Sequence, residues 1–389
     1  MSNSSSAISQ LTQIPLLGIN LGSVANAGQI LPGEAGTHYQ WPTRDNITHW
    51  VKNLGVRLIR FPFEVQRAIQ LSAEEGLPGQ GADLDADFVT RWQELLGWIR
   101  DDSDGEAKII PDPHHYMRVY RYQTSNGVLT GNLYPAAEAG NQTGWKVTEQ
   151  VLINDSNSIS GGYWGAVDLA NFHQKLVASC DDPMVLGWGL GNEPYSNTDT
   201  SALDYITLAD LETLYINTMN TVLQALRNSS SKPVFICGLE YASAKNWATL
   251  SENLQSNIVD PANAIVWEAH AYADIDGGSS GAYAGDNTTI SATALRDDIA
   301  GPFFTYAKAN NMAAFIGETG IPPTDAARTA LTNLLDKAKT EGVPVTLWVT
   351  GPGTDGEQMS LEATDQADTV TLITPYFAEV ITQWGYSQA

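Results

Sequence analysis

Eight short apolar, β-branched runs recur along the chain, and segments with helical periodicity lie between them. The runs are Ile14 to Asn20, Val56 to Phe61, Lys108 to Asp112, Met184 to Asn192, Pro233 to Gly238, Ala264 to His270, Ala313 to Glu318 and Pro344 to Val349. A parallel strand is covered on both faces and reaches the next strand through a crossover helix, so this alternation is the pattern of repeated βα units. The amphipathic stretches are Thr43 to Leu54, Asp87 to Arg100, Val167 to Ala178, Leu208 to Arg227, Ala292 to Ala309 and Asp325 to Thr340, with a terminal one near Leu372 to Trp384. Eight strands with interleaved helices predict an α/β fold of the (β/α)8 TIM-barrel kind. A doubly wound open sheet is the competing architecture. Against it, no G-x-G-x-x-G follows the first run and no G-x-x-x-x-G-K-[ST] occurs anywhere, and no cofactor is expected. A barrel accommodates a chain of 389 residues in one piece, so a single catalytic domain over residues 1–389 is expected.

Composition narrows the class further. Hydrophobic residues make up 43% and charged residues 16%, enough apolar surface for a sizeable core and far from a disordered chain. Twenty Lys and Arg against 44 Asp and Glu leave a net charge of −24, a field that repels nucleic-acid phosphates and anionic membranes. Neither is expected as a partner, whereas a neutral substrate is compatible with that charge. Cys180 and Cys237 stand far apart, so no C-x-x-C motif or disulfide framework exists and two buried free thiols are expected. The start, Met1-Ser-Asn-Ser-Ser-Ser, lacks a basic region followed by an apolar stretch, and no run of eighteen apolar residues occurs, so no signal peptide or membrane span is visible. The oligomeric state is left open.

Two long segments interrupt the βα rhythm, Met117 to Gly165 after the third run and Ala271 to Thr289 after the sixth. Both follow strands and therefore lie on the face where barrel enzymes build their sites. The first carries Tyr120, Tyr122, Tyr134, Trp145, Tyr163 and Trp164, suited either to packing the loop on the barrel or to stacking on sugars. In the second, Gly-rich segment, Asp274, Asp276 and Asp286 lack the remaining spacing of an EF-hand loop and read as solvated turn residues, with calcium binding left open.

Polar residues at the C-terminal ends of barrel strands point into the mouth. Here those ends carry Asn20, Arg60, His114 with His115 and Tyr116, Asn192 with Glu193, Glu240, His270 with Tyr272, Glu318, and Trp348. In Gly187-Trp-Gly-Leu-Gly-Asn-Glu-Pro194 the proline cannot continue a ladder and sets Glu193 at the rim, and Ala314-Phe-Ile-Gly-Glu-Thr-Gly320 does the same for Glu318. Two carboxyl groups across one mouth are the minimum equipment for cleaving a glycosidic bond, one protonating the leaving oxygen and the other attacking the anomeric carbon or activating water. The adjacent pair His114-His115 lacks the spacing of a helical zinc site and has no third ligand, so no metal is expected.

Six segments in order, each at a strand end, resemble glycoside hydrolase family 5, the cellulase family. They are Arg60-Phe-Pro-Phe-Glu-Val-Gln-Arg67, Asp112-Pro-His-His-Tyr116, Asn192-Glu-Pro194, His270-Ala-Tyr272, Gly317-Glu-Thr-Gly320 and Trp348, preceded by Gly18-Ile-Asn-Leu21. The resemblance covers nearly the whole chain. It implies Glu193 as general acid/base and Glu318 as nucleophile. Arg60 and Tyr272 would keep the nucleophile ionised, Asn192 would bind the sugar 2-hydroxyl, Trp348 would stack beneath the cleaved sugar, and His114, His115, His270 and Asn20 would complete the polar ring. Many relatives carry Asn where His115 stands and Glu where Gln66 stands, positions that bear on substrate preference more than on reaction class. The segments Gly238 to Trp247 and Leu347 to Gly353 look most like the branch that cleaves β-1,4-glucan, which implies an endoglucanase acting on polysaccharide or oligosaccharide. That role implies a secreted or extracellular protein, with the cytoplasm left open.

The alternatives share or forfeit this chemistry. The same residues serve on mannan, xylan, β-1,3- or β-1,6-glucan or a bacterial exopolysaccharide, because loops choose the sugar. A non-catalytic carbohydrate-binding barrel predicts the loss of one carboxylate, and both are present. Retention of anomeric configuration predicts that the carboxyl groups of Glu193 and Glu318 stand about 5 Å apart.

Overall fold

The computed structural model describes residues 17–78, 81–125, 128–134, 142–154, 164–273, 283 and 290–384. Eight parallel strands form its centre: β1 (Leu17–Leu21), β2 (Leu58–Phe63), β3 (Lys108–Pro113), β4 (Trp188–Gly189), β5 (Val234–Cys237), β6 (Ile265–His270), β7 (Ala314–Thr319) and β8 (Val345–Thr350). Their spatial order, β3-β2-β1-β8-β7-β6-β5-β4, is that of a barrel opened between β3 and β4. A parallel bridge from Ile109 to Val185, with Ile109 N–H donating to Met184 O and Leu186 N–H to Ile109 O, closes that seam. The protein is a (β/α)8 TIM barrel.

The helices fall within a few residues of the expected stretches, at Ala86–Ser103, Ala166–Cys180, Leu208–Leu226, Ala300–Ala309, Asp325–Glu341 and Ala367–Trp384. Several begin where a side chain satisfies the orphan N–H groups of the first turn: Asp85 accepts from Phe88, Thr207 from Asp210 and Thr324 from Ala327. Helix Leu208–Leu226 buries Leu211, Tyr215, Thr218, Met219, Val222, Leu223 and Leu226, the three-to-four spacing that lays one face on the barrel. Two expected helices are split: Thr43 to Leu54 divides into Arg44–Ile47 and a wider turn Thr48–Asn53, and Ala292 to Ala309 opens with a similar turn at Ala294–Ile299.

Alternation along the strands sorts side chains to the two sides of the barrel wall. On β2, Ile59, Phe61 and Phe63 join the large outer core, where Phe61 packs with Trp41 and Trp92 and Phe63 with Phe88. Leu58 belongs to a second cluster with Ile110, Phe235, Ala264, Val266, Ala313 and Phe315 that plugs the base of the barrel. Above this plug the inward positions turn polar, with Asn20, Arg60, Asp112, Glu268 and Thr346 all buried. An apolar floor under a charged layer fixes the functional groups from below.

The fourth strand departs from expectation, forming a regular ladder over Trp188–Gly189 with an isolated bridge at Val185 rather than a strand through Met184 to Asn192. Its glycines leave little room for a regular ladder: a Cβ on Gly189 would lie 2.7 Å from Asp112 Oδ1, and Gly191 adopts φ +143° beneath the His115 ring. The segment after β3 is more ordered than a simple loop. It contains an antiparallel pair, Arg118–Tyr122 with Thr148–Leu152, and a shorter pair, Thr124–Ser125 with Val128–Leu129. Its aromatics largely pack: Trp164 is buried against Phe172, Trp145 meets His38 edge to face, and Tyr122 lies buried under Lys146. Tyr163 and the three aspartates Asp274, Asp276 and Asp286 lie outside the described residues.

Candidate active site

Arg60 is the hub of the mouth. Fully buried, its guanidinium bonds Glu318 Oε1 at 2.8 Å, Asn20 Oδ1 at 3.0 Å and Asn192 Oδ1 at 2.7 Å, and pairs with Asp112 at 2.9 Å and Glu268 at 2.8 Å. Three carboxylates from β3, β6 and β7 thus converge on one cation that cannot deprotonate. Asn20 also donates to Gly317 O at 2.9 Å, so it braces Arg60 and the β7 backbone from below.

Glu318 is held through both oxygens. Arg60 donates to Oε1, and the buried Tyr272 hydroxyl donates to Oε2 at 2.9 Å, with His270 Nδ1 3.5 Å from that same oxygen. Burial pushes its carboxyl upward, but the charges of His270, Arg60 and His114 and the tyrosine hydrogen bond overcome it and hold Glu318 below the usual carboxylate range. Glu193 experiences the reverse balance. Burial raises its pKa, His270 opposes the rise and the neighbouring Glu318 charge adds to it, so the net shift is upward. The two neighbouring carboxyl groups are therefore shifted in opposite directions. Carboxylate oxygens of Glu193 and Glu318 and a ring nitrogen of His270 all lie within 4.8 Å of one another.

His270 links them. Its Nδ1 hydrogen-bonds Glu193, and its Nε2 faces Glu268 at 3.3 Å; despite complete burial, the surrounding Glu318 and Glu193 charges raise its pKa well above the usual value. Glu193 itself adopts φ +38°, a strained backbone position for a residue with a side chain, at the turn that Pro194 ends.

Asn192 shows how completely the amide is oriented. Its Oδ1 accepts from Arg60 and its Nδ2 donates to His114 Nε2 at 3.0 Å, which leaves one amide N–H uncommitted. Asp112 sets the His114 tautomer by accepting from Nδ1 at 3.1 Å, and Tyr116 OH stands 2.9 Å from Nε2. The His114 ring stacks on Trp348 with centroids 5.8 Å apart. Trp348, half-buried, donates its indole N–H to Glu357 at 3.1 Å.

Not every expected ring member reaches this cluster. His115 is buried with Nε2 on Leu190 O and Nδ1 accepting from Met117 N–H, both at 3.1 Å, and burial lowers its pKa to about 4. It is a neutral brace between two loops, and Asn20 likewise acts beneath the mouth. Glu240 turns away to accept from Ser196 N–H at 2.7 Å. Beyond it, Tyr241 stacks on Tyr195 at 4.8 Å, and Tyr195 carries Arg118 at 3.6 Å from its centroid, giving a layered aromatic face beside the Glu193 loop. Sequence reading assigned no role to Glu268, Asp112, Tyr195 or Tyr241. Glu268 carries the clearest signal: a charged residue inside Trp267-Glu-Ala-His270, on the same side of the strand as His270.

The comparisons with known proteins bear on this geometry. The family model described as cellulase, glycosyl hydrolase family 5, matches residues 23–354. The chain belongs to glycosyl hydrolase family 5. Among curated members, endo-beta-1,4-glucanase B of Aspergillus niger is 23% identical over 88% of this chain and 84% of its own. Endo-beta-1,4-glucanase A of Emericella nidulans is 22% identical over 89% of this chain and 87% of its own. Of the solved structures, endoglucanase Cel5A of Pseudomonas stutzeri in complex with cellobiose superposes with a TM-score of 0.70 over 93% of this chain and 92% of that one, at 24% identity. This family 5 barrel buries Cys180 and Cys237 as free thiols, and none of its described helices is long and apolar enough to cross a membrane.

Proposed function

We propose that this family 5 chain is a retaining β-glycoside hydrolase that cleaves β-1,4-glucan within the chain, with Glu318 as nucleophile and Glu193 as acid/base. The observation that carries the reading is the approach of the two carboxylates within 4.8 Å, in opposite electrostatic settings. Retaining enzymes hold their carboxyl groups about 5 Å apart, whereas an inverting pair needs a wider gap for a water.

In the first step ionised Glu318 attacks the anomeric carbon while protonated Glu193 donates to the departing glycosidic oxygen, and a glycosyl ester forms. Esterification removes the Glu318 charge, one of the influences raising Glu193, so the Glu193 pKa falls and the carboxylate left after proton donation stays ionised, ready to act as the general base. In the second step it takes a proton from water, the oxygen attacks the anomeric carbon, and Glu318 is released. The uncommitted N–H of Asn192 can donate to the oxygen of the 2-hydroxyl, which leaves that hydroxyl's own proton free to bond a carboxylate of the site, a bond that strengthens as positive charge develops on the sugar. Trp348 offers an apolar face to the cleaved residue, and Tyr195 with Tyr241 lie on the leaving-group side, next to the acid/base loop. The curated relatives named as endo-β-1,4-glucanases favour β-1,4-glucan as substrate, and that role favours an extracellular site of action.

The test is release of reducing ends from carboxymethyl cellulose, mixed-linkage glucan, mannan, xylan and laminarin by the wild type, Glu193→Gln and Glu318→Gln. Cleavage of the cellulose-type substrates with both variants nearly inactive supports the reading. Cleavage of a different polysaccharide with the same variant pattern overturns the substrate alone, and activity that survives Glu318→Gln overturns the mechanism.

A further inference from the structure

Glu64 follows β2 within the segment Arg60 to Arg67, and nothing in the reaction described above uses it. Its side chain is partly buried beside His114, Tyr116 and Tyr120, yet among the described residues its carboxyl has no hydrogen-bond or ion-pair partner. The nearby cation is committed elsewhere. Arg67 donates to the backbone carbonyls of Asn26, Ala27, Ile30 and Pro32 and lies 4.2 Å from the Tyr39 ring centroid. His114 is likewise engaged, by Asp112, Asn192 and Tyr116.

The loop after β1 is shaped to admit this carboxyl. A Cβ built on Gly28 would fall 2.5 Å from the Glu64 carboxyl carbon, so a side chain there would displace it. Gly28 does not occupy the left-handed region, so what marks the position is its close approach to the Glu64 carboxyl and not its backbone conformation. Arg67 pins the same loop, through residues 26–32, against Glu64. Burial pushes this half-buried carboxyl up to about 7 against the opposing influence of His114 and Arg67, so its ionised form is disfavoured in the free protein. Such a group is relieved when donors arrive from outside.

Position indicates which donors. The leaving group must lie beside the proton donor Glu193, in the turn after β4, and the loop after β5 is tied to that side by Ser196 N–H to Glu240 and by Tyr241 N–H to Pro194 O. Glu64 and Gly28 belong to the loops after β2 and β1, across the mouth. We propose that Glu64 is a sugar-binding residue on the glycone side of the scissile bond, accepting hydrogen bonds from adjacent hydroxyls of a neutral β-linked sugar beyond the one being cleaved. A carboxylate takes two hydroxyl donors side by side, which suits a vicinal diol. The assignment rests on the functional reading above.

The experiment measures kcat and KM separately for the wild type, Glu64→Gln and Glu64→Ala, using chromogenic oligosaccharides of increasing length made from whichever polysaccharide the wild type cleaves. Glu64→Ala should raise KM about tenfold on substrates long enough to reach it, with kcat within about twofold and a smaller effect in the near-isosteric Glu64→Gln. Because sugar donors favour the ionised form, wild-type KM should fall as pH rises from about 6 to about 8, and this dependence should vanish in Glu64→Gln. Unchanged KM in both variants of an active enzyme, or a loss confined to kcat, overturns the assignment alone. A wild type that cleaves nothing in the panel overturns the functional reading and this assignment with it.

Discussion

Arg60 Nη1 stands 2.8 Å from Glu318 Oε1 at the floor of the mouth, and the same guanidinium contacts Asp112 and Glu268 within 3 Å. Three buried carboxylates share this one guanidinium. Its burial, beneath Glu318 and Asn192 and above the apolar plug, makes it a positioning group that never meets the sugar.

Replacing Arg60 with lysine keeps one positive charge but not the fork that serves several acceptors at once. Arg60→Lys should therefore lower kcat by about a hundredfold or more, and Arg60→Met, which strands three buried carboxylates, should cost about 3–5 kcal/mol of stability. Steady-state kinetics with thermal melts at neutral pH check both, and a Lys variant of near wild-type kcat would contradict the hub role.

Tyr272 supplies the hydrogen bond to the other oxygen of Glu318. Tyr272→Phe removes one donor to a charged group, a contribution of about 1.5–3 kcal/mol, so kcat should fall about ten- to a hundredfold. The acidic limb of the pH profile should move to higher pH, since that donor helps hold the Glu318 pKa down. A fall in kcat with no movement of the acidic limb would show that Tyr272 acts on something other than the nucleophile's ionisation.

The opposite shifts of Glu193 and Glu318 predict a bell-shaped dependence of kcat/KM on pH. On the roles proposed, activity requires Glu318 ionised, which fails on acidification, and Glu193 protonated, which fails as pH rises through its raised pKa. With a good aryl leaving group that needs no proton, Glu193→Gln should keep the first step and lose the basic limb. Persistence of that limb would assign it to another group.

Much of this architecture is legible in the sequence, for reasons visible residue by residue. Buried parallel strands read as apolar runs, so seven of the eight were located to within a few residues, and the exception, Trp188–Gly189, is the one whose alternating glycines weaken the ladder. Strand ends exposed Glu193, Glu318, His270 and Tyr272 because a polar residue closing an apolar run is conspicuous. Glu268 escaped because it sits inside the run, where its burial makes sense only once Arg60 from β2 is seen beside it. His115 misled for the converse reason: adjacency to His114 suggested a shared role, whereas alternation sends its ring to Leu190 and Met117.

Glu64 carries a stability signature independent of any substrate. Its folded-state pKa of about 7 exceeds the ordinary 4.5, so the folded protein binds more protons than the unfolded chain between those values, and stability should fall as pH rises through that window. Glu64→Gln removes this titration. Relative to wild type it should gain on the order of 2 kcal/mol at pH about 8 and little at pH about 4, the linkage value being reduced for the carboxyl's contact with solvent. Chemical denaturation at the two pH values measures the difference, and an equal effect at both would rule out a perturbed Glu64.

The most direct test of the central claim is to trap the covalent intermediate. A 2-deoxy-2-fluoro-cellobiosyl donor with a good leaving group slows the second step more than the first, so a retaining enzyme accumulates its glycosyl ester. Mass spectrometry of the intact protein followed by peptide mapping should find one disaccharide adduct, on Glu318. An active enzyme that forms no adduct, or one that carries it on Glu193 or elsewhere, would contradict the assignment of the nucleophile and of the double displacement.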